Sequence, residues 1–246
     1  MDSKNIDFAA IPQTAVNVVT KPAEFFQGMP KAGGFLEPLV FAVIMGFIAG
    51  VVQAILSWIG LGPAAAQGGG MMSGFGMIIF MPIAAAAGSF IGGAILFGIW
   101  KLMGSRENYE TAYRCGAYLA ALAPVTAIIS AVPYAGGAIN MAIYAFYLVM
   151  ASVHVHQLPS QKAWLVFGII GVILVLATVR AEYKARTMLS EAEKWRKMGD
   201  DMRKDYQQSA DEMKKSTDEM RRQADEMAEK FKEQAEEAGR QAQENQ

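Results

Sequence analysis

The residues with chemistry to offer are few, and most of them stand apart. His154 and His156 form an H-x-H pair near the end of an apolar run. On a helix, positions i and i+2 face directions about 200° apart, so the pair shares a face only in an extended segment. Only an extended pair could hold a metal ion between them, and no Cys or carboxylate neighbours it, so interfacial histidines are the simpler expectation. Cys115 is the single cysteine, which rules out an intrachain disulfide and fits a small packing residue in an apolar run. Glu37 lies two residues into the first apolar run and is expected to reach the interface, while Gln53 and Asn140 are polar residues suited to hydrogen bonds between helices. No Asp/Glu/His relay, nucleophile–base pair, phosphate loop or metal cage emerges from these spacings. The expectation is therefore no catalytic residue, no cofactor and no metal, and a protein that is not an enzyme.

The elements around these residues are set by an uneven charge distribution. Residues 35–100 carry one formal charge, Glu37, and residues 115–180 carry two, Lys162 and Arg180. Residues 181–246 hold 31 charged residues, 14 basic and 17 acidic, for a net charge of −3. The front of the chain is material for a lipid bilayer and the back is material for water. No segment is basic enough for a nucleic-acid footprint.

Crossing a hydrocarbon core of about 30 Å takes roughly 20 apolar helical residues. Five runs meet or approach that length, at about 35–59, 76–102, 113–132, 136–156 and 163–180. They are apolar all round, whereas helices of water-soluble domains keep a polar face. The fold expected is all-α, a polytopic transmembrane bundle of about five spans with a long C-terminal heptad-containing helix. Its parts are an N-terminal interfacial segment (1–34), the five-span domain (35–181) and a charged helical or coiled-coil tail (182–246). The N-terminal segment is broken by Pro12 and Pro22 and too interrupted to span; it is suited either to lie along the interface with Phe25 and Phe26 dipping into lipid or to form an ordinary packed or loose N-terminal segment. No basic start with an early apolar core precedes Phe35, so the first span is expected to be a retained anchor.

Small residues mark where spans approach closely: Gly46 and Gly50 in the first, Gly88, Gly92 and Gly93 in the second. Pro82 and Pro124 sit inside the second and third runs, where each removes a backbone donor and is expected to bend its helix. With the N-terminus in the cytoplasm, Lys4, Lys21, Lys31, Lys101, Arg106, Arg114 and Lys162 fall on the cytoplasmic side, and the opposite short loops hold no Lys or Arg. Five spans then put the tail outside the cytoplasm.

The tail has no proline between 182 and 240 and repeats ADEMKKS, TDEMRRQ and ADEMAEK over 210–230. Ala210, Thr217, Ala224 and Phe231 take one seam position, and Met213, Met220 and Met227 the other, the 3,4 spacing of a coiled coil. Small residues and flexible methionines make a weakly specifying seam. Self-association, pairing with a partner protein, a single surface-lying helix and disorder all remain compatible with it.

The stretch TKPAEFFQGMPKAGGFLEPLVFAVIMGFIAG (20–50) resembles the opening of bacterial Yip-domain proteins, the Ypt/Rab-interacting-protein family. The stretch 107–164 resembles the core of that family: a polar loop with an aromatic, Tyr118, Pro124 in the third span, Val-Pro-Tyr-Ala-Gly at 132–136, an aromatic-rich fourth span, and Lys162-Ala163 opening the fifth. The resemblance implies five spans in the bacterial inner membrane, a cytoplasmic N-terminus and a scaffold role. The acidic Asp-Leu-Tyr-Gly-Pro type of motif of eukaryotic members is absent, which speaks against GTPase binding, and the long tail departs from the family. The expected partners are the lipid bilayer and, through the tail, a second copy or another protein. The leading reading is a membrane scaffold or organiser. The alternative, drawn from Pro82, Pro124, Gln53 and Asn140, is a transporter or channel component for a small or apolar solute.

Overall fold

The computed structural model describes residues 7–61, 70–133 and 135–244, among which every regular element is helical. The chain forms two units, Met1–Ala185 and Arg186–Gln246. Among the described residues, five helices are long and apolar enough to cross a membrane.

In the first unit, α1 (Ala10–Thr20) and α2 (Pro22–Gly28) open the chain. Pro12 and Pro22 each fall in the first turn of a helix, where no intrahelical N–H is needed. The first span is α3 (Leu36–Trp58) and the second is α4 (Gly70–Leu102). The third is composite: α5 (Tyr109–Tyr118), a 3-10 turn (Leu119–Leu122) and α6 (Ala123–Ile129). Pro124 lies in the first turn of α6, so its missing donor shows as a break into 3-10 geometry rather than a bend in one continuous helix. Pro82, by contrast, lies within an unbroken α4. The fourth span is α7 (Ala135–His154), and α8 (Ser160–Glu244) begins with the fifth apolar run.

Burial is inverted relative to a water-soluble protein. Phe47, Ile79, Ile83, Leu165 and Leu176 are at least half exposed, while Arg114, Thr111 and His156 are buried. An apolar exterior of this extent is a lipid-facing surface. The core is built from Phe26, Phe41, Trp100, Leu122, Val149 and Phe167.

The N-terminal segment is packed into the bundle rather than laid flat on the interface. Phe26 is 1% exposed, and Phe25 meets the Tyr118 ring edge-on at 5.2 Å, so these rings serve the protein core and not the lipid. At its start α1 lies beside Glu37 and Tyr118, and farther along it lies beside Ile48 and Pro124. It therefore runs down into the bundle, and α2 climbs back from Phe25 on Tyr118 to Pro30 at Arg114. The orphan carbonyl of Val19 at the bottom accepts a hydrogen bond from the Tyr147 hydroxyl at 2.6 Å. A helix end at membrane depth requires such a partner.

The small residues divide. A Cβ on Gly46 would meet Ala85 Cβ at 2.7 Å and Met81 O at 2.8 Å, and one on Gly50 would meet Met77 O at 2.6 Å. A Cβ on Gly93 would meet Tyr113 Cα at 3.0 Å. Gly88 and Gly92 have nothing within 4 Å, so the packing expected of them is not made in this chain and falls to Gly93, one residue round the helix.

In the second unit, Ala210, Met213, Thr217, Met220, Ala224 and Met227 are all exposed and share one face of the helix. The side chain of Phe231 lies outside the described residues.

Candidate functional site

Three assemblies carry polar or associative chemistry. The first is a clamp at the N-terminal end of the first span. Asn108 caps α5, its side chain accepting the Thr111 N–H at 2.9 Å, and thereby points Glu110 and Arg114 at the segment 29–35. Gly33 and Gly34 take φ of 135° and 87°, a region open to glycine, and both donate N–H to Glu110 Oε1 at 2.8 and 2.7 Å. The Arg114 side chain is 1% exposed. Its Nε donates to Pro30 O at 2.7 Å and its guanidinium to Gly34 O at 2.8 Å and Glu37 Oε2 at 3.4 Å. Thr111 donates to Lys31 O, and Lys31 pairs with Glu107 at 2.7 Å. Counted from the sequence as a charge flanking a span, Arg114 is instead the buried bolt that closes loop 29–35 over α5.

The second assembly surrounds His156. This residue is 4% exposed, packed inside the bundle. The chain leaves α7 in a tight turn at 155–159, with Gln157 at φ 55°, and tucks the imidazole under Trp100 at a ring distance of 3.9 Å. Its Nδ1 is 2.7 Å from Ser105 Oγ and its Nε2 is 4.0 Å from Cys115 Sγ. Trp100 Nε1 donates to Ser152 Oγ at 2.8 Å, and Lys162 Nζ donates to Met103 O at 2.8 Å at the C-terminal end of α4. Ser105, His156 and Cys115 have the residue types of a nucleophile and base, but each is more than nine-tenths buried. The arrangement ties the ends of α4, α5, α7 and α8 together. His154 stays on α7 apart from this cluster, and no group of three or more metal-ligating side chains occurs among the described residues.

Burial holds His156 neutral and pushes its pKa down to about 4; nearby Glu107 acts against this, and Lys31 and Lys101 with it. The unfolded chain takes up the proton near pH 6.5, the native bundle only near 4. Stability contributed by the neutral imidazole is therefore full above pH 6.5 and lost as pH falls toward 4, by on the order of 3 kcal/mol. Thermal unfolding in detergent should show that decline for the wild type and a flatter profile over the same window for His156→Gln. Equal slopes for the two proteins would count against it.

Across the α6–α7 hairpin, Asn140 Nδ2 donates to Thr126 O at 3.0 Å and Ser130 Oγ at 2.8 Å, the interhelical role its position in an apolar span calls for.

These elements coincide with a family comparison that matches residues 16–181 to the Yip1 domain. The chain belongs to the Yip1 domain family. No curated protein and no solved structure matches it. The Yip1 domain thus begins inside α1 and ends in α8 just after the fifth apolar run, so both the loop clamp and the His156 cluster lie within it. The protein is an integral membrane protein of that family. The heptad stripe lies beyond the Yip1 match.

Sequence reasoning missed the Arg114 clamp and the His156 cluster. Signals for the first were present: Gly33-Gly34 permits a turn with positive φ, and Asn108 is a residue type preferred at a helix N-cap.

Proposed function

We propose that the protein is a non-enzymatic membrane scaffold, in which the Yip1 domain anchors the chain and the tail binds a second copy or a partner protein. The observation that carries this reading is the stripe Ala210, Met213, Thr217, Met220, Ala224 and Met227. It is exposed along one helix face and repeats at coiled-coil spacing. Met213, Met220 and Met227 are each about 60–70% exposed, apolar surface that association would remove from water. The distribution of Lys and Arg around the spans supports a cytoplasmic N-terminus with the tail on the opposite side, and the resemblance to bacterial Yip-domain proteins supports the bacterial inner membrane. The tail's net charge of −3 disfavours nucleic acid as the partner.

Single cysteines at Met213 and Met220, with Cys115 replaced by Ser, test the stripe. Bismaleimide crosslinking in native membranes should capture either a dimer or a defined heteromeric band from both positions, and none from Glu219→Cys on the charged face. Identical yields from all three positions, or a tail deletion that leaves every associated protein in place, would sink the proposal.

A solute-conducting role is the second reading. Asn140 Oδ1 favours it, since this atom is buried with no hydrogen-bond partner among the described residues. Flux above empty proteoliposomes, lost in Asn140→Leu, is the result it requires.

A further inference from the structure

A groove of about 500 Å³ lies between α1 and the face formed by α3 and α6. Its walls are apolar, among them Ile11, Ile44, Ile48, Pro124 and Val125. Its depth has a meaning in a bilayer. Ile48 lies 12 residues beyond Leu36, the first residue of α3, roughly 18 Å along the axis at about 1.5 Å per residue. Half of a hydrocarbon core is about 15 Å. The groove therefore runs from the interface on the N-terminal side to the neighbourhood of the midplane, the reach of one acyl chain in one leaflet.

At the upper end, Ile11 also lines a smaller recess of about 60 Å³ with Asp7, Thr14 and Glu37. The two carboxylates are differently engaged. Asp7 spends Oδ1 on the N–H groups of Ala9 and Ala10 at the start of α1. Glu37 is 56% exposed, and its cationic contact among the described residues, Arg114 at 3.4 Å, is itself committed to the carbonyls of Pro30 and Gly34. Asp7 and Glu37 both line this recess, which shares the Ile11 wall with the upper end of the groove and gives that end an acidic neighbour. An apolar slot one leaflet deep beside an acidic recess is complementary to a lipid with a primary amine at its head.

We infer that this groove is a binding site for one phospholipid of the ethanolamine type from the leaflet on the N-terminal side. One acyl chain lies along α1 against Ile44, Ile48 and Val125. The ammonium group sits between Glu37 and Asp7, in charge-assisted hydrogen bonds that a choline head, with no N–H, is unable to make. The site is lost to an anionic glycerol head through repulsion by the same carboxylates.

Full-length protein in detergent, titrated with dioleoyl lipids of ethanolamine, choline or glycerol head and read by native mass spectrometry, tests the inference. One ethanolamine lipid per chain should survive detergent exchange, with at least fivefold lower occupancy for the other two. Val125→Trp and Ile48→Trp fill the slot from residues that are 41% and 40% exposed, so both variants should fold, with Cys115 as protected from maleimide as in the wild type, and both should lose the lipid. Glu37→Gln should keep a lipid but lose the preference between heads. Equal occupancy by all three lipids, or an ethanolamine lipid retained in both tryptophan variants, would overturn the assignment. So would a groove found empty of lipid because a partner protein or a second copy covers it.

Discussion

Replacing Arg114 with Leu should destabilise the membrane unit by about 3–5 kcal/mol, the largest effect expected of any single polar residue here. The ion pair with Glu37 is a minor part of this. It is long, at 3.4 Å, and Glu37 is 56% exposed, so Glu37→Gln should cost less than about 1 kcal/mol. The larger part is backbone. Pro30 O and Gly34 O receive their charge-assisted bonds from the buried Arg114, and Leu removes both of these ties on loop 29–35 at once. Arg114→Lys should fall between, because one ammonium is a poor substitute for a planar fork reaching two carbonyls on opposite sides. The chain carries its own reporter: Cys115, the next residue, is the single cysteine and is fully buried. Its maleimide reaction in mild detergent requires opening of the bundle, so Arg114→Leu should accelerate labelling by about a hundredfold or more. Labelling at the wild-type rate would show that loop 29–35 is held by Glu110 and Thr111 alone.

What was readable in the residues follows from which constraints are local. The five spans are, because a bilayer demands about 20 apolar residues from each and no tertiary context relaxes that. Their ends drifted by a few residues; the third span starts at Tyr109 instead of near 113 because Asn108 caps a polar turn that hydropathy alone discards. The heptad stripe is legible for the same local reason, as a period within one helix. Arg114 is not local. Its acceptors are 80 and 84 residues away, and a hydropathy reading treats any Arg at a span end as a snorkelling flank. His156 was hidden by a turn: read as helical it faces away from His154 into the interface, whereas the chain breaks at 155 and folds the ring under Trp100. The glycines show the limit most clearly. Spacing picks out Gly88, Gly92 and Gly93 on α4, but which of the three meets α5 is decided by where α5 packs, and that is Gly93.

That division among the glycines makes the second large prediction sharp. Gly50→Leu should disrupt the pairing of α3 with α4, and Gly92→Leu should leave it intact. Even the first carbon added at Gly50 would lie 2.6 Å from Met77 O and 3.0 Å from Ile78 Cα. Both are backbone atoms, with no rotamer to yield, so the helices must separate along the contact. Gly50→Ala should cost about 1–3 kcal/mol as an overpacked site, and Leu more, since its remaining carbons meet α4 over a further turn. Gly46→Ala should cost about as much as Gly50→Ala, because its obstacles are equally rigid: Ala85 Cβ at 2.7 Å, Met81 O at 2.8 Å and Pro82 Cα at 3.0 Å. Gly88 and Gly92 open onto space, and Leu at either should change unfolding by less than about 0.5 kcal/mol. Thermal unfolding and Cys115 labelling in detergent would rank the five variants. Gly92→Leu as damaging as Gly50→Leu would mean that the α3–α4 contact is not the one drawn here. A change in oligomer mass for Gly88→Leu or Gly92→Leu, at unchanged unfolding, would instead place that open face of α4 between copies. Because membrane helices gain nothing from hydrophobic exclusion against lipid, their pairing depends on close approach, and the two glycines facing α4 are where α3 achieves it.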